Sequence, residues 1–209
     1  EMRLAPDSAT LLITETVTND SDLRFHYLWG HHPVFPSIPG AVIDVPEGST
    51  AWAEPSQPSP FGTEPQVWPH LTGNDGVTRD LSVLDDAVEQ RLLSFERTPE
   101  GWLALRQPAD SGVPGIAMSW DTETWPDMWY WLQNGTSEFP WYGRARMLEL
   151  GPHTATPLHG LEHAVPAGGA HQIGPREQRT AWLTLTLLDA DTPPVTGVDR
   201  DGVVRFGKE

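Results

Sequence analysis

Two adjacent histidines, one glutamate and a run of aromatic residues are the side chains best placed to do chemistry. Gly30-His31-His32-Pro33-Val34-Phe35 follows a strand-like segment that ends at Trp29. A histidine just past a rigid strand is held in place, and Pro33 fixes the exit of the chain. An imidazole titrates at about 6.5 and suits proton transfer near neutral pH. The plainer alternative is a structural histidine bonded to a backbone carbonyl.

Glu149 lies in Arg146-Met147-Leu148-Glu149-Leu150-Gly151-Pro152. On a strand, Leu148 and Leu150 face one way, and Glu149 faces the other beside Met147. Such a carboxylate either sits in a pocket or lies exposed against Arg144 or Arg146. In Met128-Trp129-Tyr130-Trp131-Leu132-Gln133-Asn134-Gly135, residues Trp129, Trp131 and Gln133 share a face. Aromatic faces beside an amide suit a pyranose, whose C–H groups stack on rings and whose hydroxyls bond amides. The same tryptophans could equally be core.

His159-Gly160-Leu161-Glu162-His163 matches the H-x-x-E-H arrangement of some zinc peptidases, with His153 and His171 nearby. That makes a zinc-dependent hydrolase using His159 and His163 a remote alternative. Pro157 and Pro166 confine the segment, Gly160 weakens it as a helix, and no later helix offers a third ligand. Loop histidines are the better account, and no metal is expected.

These residues need strands to hold them. Leu11, Ile13 and Val17 alternate with Thr14, Thr16 and Thr18, and Leu23 to Trp29 alternates after a turn at Asn19–Asp22, so the two segments are expected to pair. Leu81, Leu84, Val88 and Leu92 have helical spacing behind a possible Asp80 cap. Residues 91–97 and 102–106 flank Thr98-Pro99-Glu100-Gly101, a good hairpin turn. Further strands are expected at 115–120, 128–133, 144–150 and 182–188. The fold class is therefore mainly β, an antiparallel β-sandwich in a single domain over residues 1–209.

Composition narrows the partners. The net charge of −16, from 29 acidic and 13 basic residues, repels nucleic acid and anionic membrane surfaces. No apolar run is long enough for a membrane helix. With no cysteine, disulfide and thiolate chemistry are excluded, which fits a cytoplasmic protein. A neutral or cationic small molecule remains compatible.

In order along residues 9–190, the chain resembles the aldose 1-epimerase (galactose mutarotase-like) family. The likeness rests on Thr14-Glu15-Thr16-Val17-Thr18-Asn19-Asp20-Ser21, on Trp29 to Phe35, on Leu132-Gln133-Asn134-Gly135, on Met147 to Pro152 and on Ile173 to Gln178. The resemblance implies a β-supersandwich and an isomerase that interconverts sugar anomers by ring opening and closure, without a cofactor. It implies His32 as the acid on the ring oxygen, with adjacent His31 leaving the register ambiguous, and Glu149 as the base. It also implies a substrate contact from Gln133, with Trp129, Trp131 and His31 alongside. Family members are longer and supply a second His and an Arg from an earlier segment, so the chain is expected to be the C-terminal portion of a longer domain. None of Asp80, Asp85 and Asp86 stands in a motif for the family's substrate-binding Asp. A catalytically silent carbohydrate-binding domain is the alternative.

Overall fold

Stretches in which apolar and polar residues alternate become strand in the computed structural model, which describes residues 1–4, 7–155, 160–189 and 191–207. In chain order these are β1 (Met2–Leu4), β2 (Thr10–Thr18), β3 (Phe25–Tyr27), β4 (Val34–Pro36), β5 (Val42–Asp44) and β6 (Thr50–Ala53). Next come β7 (Gln66–Val67), β8 (His70–Thr72), β9 (Thr78–Asp80), β10 (Glu89–Phe95), β11 (Trp102–Arg106) and β12 (Gly115–Trp120). The last are β13 (Asp127–Asn134), β14 (Arg146–His153), β15 (His171–Ile173), β16 (Gln178–Leu188), β17 (Val195–Val198) and β18 (Val204–Phe206). A short helix, α1 (Leu161–Ala167), precedes β15. Among the described residues no helix is long and apolar enough to cross a membrane.

Two six-stranded antiparallel sheets make a sandwich. One runs β1-β2-β16-β12-β11-β5 and the other β4-β14-β13-β10-β6-β7. Strand side chains alternate between faces, so each sheet turns every second residue inward. Ile13, Ile43, Leu103, Leu105, Met118 and Leu183 come from the first sheet. They meet Leu93, Phe95, Met128, Tyr130, Leu132, Leu148 and Leu150 from the second. The β17–β18 hairpin shields the outer face of the first sheet, where Val195 and Val198 pack on Trp102, Ala104 and Ala117.

Three local expectations give way to tertiary pairing. Residues 81–92 form no helix. The Asp80 carboxylate accepts from the Ser82 N–H, and that of Asp85 from the Ala87 N–H, which are turns that compete with helix. Leu81 and Leu84 pack into the core beside β5, and Leu92 belongs to β10. The turn at 98–101 closes no hairpin. It carries the chain from β10 in one sheet to β11 in the other, and each strand finds its partners elsewhere. Finally, β2 pairs with β1 and β16, and β3 pairs with β15.

That last arrangement positions the site. Thr18 pairs with Gln178 and, past a turn in each strand, Phe25 pairs with Ile173. β2–β3 and β15–β16 are therefore one long ribbon interrupted by two turns, which Asn19 clasps together. Its buried amide donates to the carbonyls of Leu23 and Gly174 at 2.7 Å each, and its oxygen accepts from the N–H and hydroxyl of Ser21. All four hydrogen-bonding positions of the side chain are used. Beyond this clasp the ribbon leaves the first sheet and delivers residues 28–33 to the edge of the second.

Candidate active site

Strand register decides which histidine meets Glu149. Gly30 bridges His153, and β4 pairs Val34 with Glu149. Residues 30–34 therefore run opposite 153–149 without a slip, and His32 stands opposite Gly151. Side chains directly opposite share a face, so His32 falls on the face of Glu149 and His153, with His31 on the reverse. The contacts agree. His32 Nδ1 is 3.6 Å from Glu149 Oε1, whereas His31 Nε2 turns to Glu15 Oε2 at 3.2 Å, with its ring edge-on to buried Trp125. The ambiguity between the two histidines is resolved for His32 as the neighbour of Glu149.

Two glycines make this packing possible. A Cβ on Gly151 would stand 2.2 Å from the His31 carbonyl oxygen and 2.6 Å from Glu149 Oε1; a Cβ on Gly30 would stand 2.1 Å from the His153 ring. The gap at Gly151 lets a second imidazole reach the same oxygen, with His153 Nε2 3.7 Å from Glu149 Oε1. The His153 ring lies flat on Trp129, with centroids 3.6 Å apart. On β13, Trp131 stands opposite Glu149 and Gln133 opposite Met147, all on one face. Trp131 also lies 5.9 Å from the His32 ring, so His32, Glu149, Trp129, Trp131 and Gln133 assemble as one surface. Beside it a cavity of about 270 Å³ is lined by Trp29, Gly30, Trp129, His153 and Thr154.

The acid–base pair is unequally buried. The Glu149 side chain is 1% exposed, against 51% for that of His32. Burial pushes the Glu149 carboxyl up to about 9, so it holds its proton at neutral pH. Burial also lowers His32, and it drives His153 down to about 3 with help from the neighbouring His32 and His31. Both His32 and His153 are thus neutral at pH 7. The Glu149–His32 pair therefore carries a single proton, held on the carboxyl because burial without a compensating donor disfavours the carboxylate.

Buried polar atoms normally find partners. Here both Glu149 oxygens, Gln133 Nε2, His153 Nε2 and Trp131 Nε1 have none. Thr136 explains the orientation of Gln133: its hydroxyl donates to Gln133 Oε1 at 3.0 Å, which leaves the amide N–H group as the free end. An unpartnered buried carboxyl beside unused N–H donors is what a ligand with several hydroxyls could complete.

Sequence reasoning missed His153 as part of this site, along with Thr136 and the two glycines. The parity of residues 149, 151 and 153 was a signal, but the gap at Gly151 acquires meaning only once β4 lies against it. Asp80 and Asp85 line a separate cavity with Glu89, Arg91 and Leu132, on the other side of β13 from Gln133. Of the H-x-x-E-H segment, His159 lies outside the described residues, and His163 sits on α1, a helix where loop was expected. Among the described residues no group of three or more His, Asp or Glu side chains could hold a metal ion.

No protein-family model matches the sequence, and no curated protein does so significantly. Solved structures do match. A protein from Klebsiella pneumoniae subsp. pneumoniae, provisionally described as an aldose 1-epimerase, superposes with a TM-score of 0.64 at 14% identity, over 90% of this chain and 45% of that one. Another so described, from Escherichia coli K12, gives 0.61 at 21%, over 89% and 58%. A galactose mutarotase-like protein from Lactobacillus casei gives 0.60 at 18%, over 89% and 61%. The chain spans about half the length of these structures. Superposing on them over nine-tenths of its residues, this chain has the galactose mutarotase-like fold.

Proposed function

We propose that this chain interconverts the anomers of an aldose by acid–base ring opening and closure at Glu149 and His32. One observation carries the reading: a buried carboxylate with neither oxygen hydrogen-bonded, 3.6 Å from one imidazole and 3.7 Å from a second. The aldose 1-epimerase descriptions of similar structures support it.

Opening a cyclic aldose removes a proton from the C1 hydroxyl and gives one to the ring oxygen. Both oxygens are bonded to C1, so the base and the acid must be close neighbours. Glu149 is the base and His32 the acid. Before sugar binds, their single proton rests on Glu149. Sugar hydroxyls that donate to its two bare oxygens stabilise the carboxylate, and the proton passes to His32. Glu149 then takes the C1 hydroxyl proton as His32 protonates the ring oxygen, and the bond from C1 to the ring oxygen breaks. Rotation about C1–C2 exposes either aldehyde face, and closure reverses both transfers. The cycle consumes nothing. Gln133 Nε2 and Trp131 Nε1 donate to ring hydroxyls, and Trp129 and Trp131 offer apolar faces.

The test is saturation-transfer NMR between the anomers of glucose and of galactose. The parent accelerates exchange, and Glu149→Gln and His32→Ala abolish the acceleration. Calorimetric sugar binding without acceleration by the parent would make this a carbohydrate-binding domain instead. Neither binding nor exchange would remove both readings.

A further inference from the structure

The connection between β13 and β14 is far longer than a hairpin needs. Such turns commonly close with about two to five residues, whereas this one spans 135–145 and packs its Trp141 on Trp131 of β13. The loop is built rather than slack. Its backbone N–H groups at Gly135, Trp141, Gly143 and Arg144 bond to Ala145, Glu138, Thr136 and Trp141. Tyr142 is held at a φ of +49°, where a bulky residue sits only under constraint.

What the loop presents is aromatic. The Trp141 ring meets Trp131 edge-on at 5.6 Å, and Trp131 lies 5.9 Å from His32, so a line of rings leads outward from the acid–base pair. At the tip, Phe139 is 79% exposed and Tyr142 is 63% exposed, their rings 6.0 Å apart and perpendicular. A soluble domain gains nothing in stability by holding two large rings in water on an ordered turn.

We infer that Trp141, Phe139 and Tyr142 form an outer subsite for a second sugar ring, so that the substrate is an oligosaccharide with a free reducing end. The inference rests on the reading that the first ring places its C1 at Glu149. Trp141 continues the rings of that site, Phe139 and Tyr142 flank it in sequence on the same ordered loop, and stacking on aromatic faces is how a neutral pyranose is held without charge. The net charge of −16 weighs against an anionic occupant.

Calorimetry with glucose, maltose, cellobiose and lactose, which share a reducing-end glucose, tests the subsite. For the parent, at least one disaccharide should bind about tenfold tighter than glucose. In the doubly substituted Phe139→Ala/Tyr142→Ala protein that ratio should fall to about one. Equal affinity of the parent for glucose and all three disaccharides, or no binding of any of them, overturns the subsite. So does a ratio unchanged by the double substitution, or a light-scattering mass showing that the substitution dissociates an oligomer instead. A disaccharide preference abolished by the substitution, in a parent that does not accelerate anomer exchange, keeps the subsite and removes the mutarotase reading.

Discussion

Replacing Glu149 by Gln should make this protein more stable while removing its chemistry. The carboxyl titrates at about 9 in the folded chain against an ordinary 4.5, and burial is the cause. The folded state thus binds a proton that the unfolded state releases. For a group raised in this way, its contribution is fully present below pH 4.5 and is lost as pH rises towards 9. Each pH unit in that window costs about 1.4 kcal/mol, so the parent forfeits about 3 kcal/mol at pH 7 and about 6 kcal/mol at pH 9. Gln has nearly the same shape, carries no ionisable proton and can donate towards His32 or His153. The variant should match the parent near pH 4.5 and exceed it by about 3 kcal/mol at pH 7, which for a chain of this size raises Tm by roughly 6–12 °C. Urea unfolding of both proteins at pH 5, 7 and 9 measures the difference. If their stability curves run parallel across that range, the carboxyl is not held protonated by burial and the proton bookkeeping at the site is wrong.

Other outcomes follow from the same geometry. The kcat/KM for anomer exchange should fall above about pH 9, where the free pair loses its one proton, and also below the lowered pKa of His32, where it gains a second; a pH–rate profile reads both limbs. Gly151→Ala should lose exchange activity and about 1–3 kcal/mol of stability, because the new methyl group meets a backbone oxygen 2.2 Å away; denaturant unfolding and NMR exchange check the two effects. Asn19→Ala should cost about 2–4 kcal/mol in urea unfolding, since it removes the side chain's bonds to the Leu23 and Gly174 carbonyls and to Ser21 and so opens both turns.

Much of the site could be read from residue parity alone. Leu148 and Leu150 are core as their spacing says, and Glu149, Trp129, Trp131 and Gln133 gather on the other face because strands alternate. Which imidazole joins them could not be read locally. It depends on a pairing between residues 30–34 and 149–153, and nothing near His31 or His32 encodes that register. The failed hairpin at 98–101 has a similar cause. A Pro-Glu-Gly turn reverses the chain whether its flanking strands pair or part into two sheets, and the uninterrupted burial of Leu92 to Phe95 and Trp102 to Leu105 marks strands flanked by neighbours on both sides. The helical spacing of Leu81, Leu84 and Leu92 is coincidental: Leu81 and Leu84 pack into the core from a loop, whereas Leu92 lies on β10 opposite Trp131, on the other face.

The adjacent histidines carry a risk that follows from the two-residue repeat of a strand. One residue inserted or deleted between Gly30 and His32 would exchange their faces, and the wrong ring would be offered to the carboxylate while the chemistry of the segment looked intact. Gly30 guards against this, since only there can the backbone lie against the His153 ring, and a shifted alignment would press His31 into that space. Alignment fidelity in this stretch thus rests on a steric lock, and homologous sequences should be compared here by their spacing from that glycine before their histidines are counted.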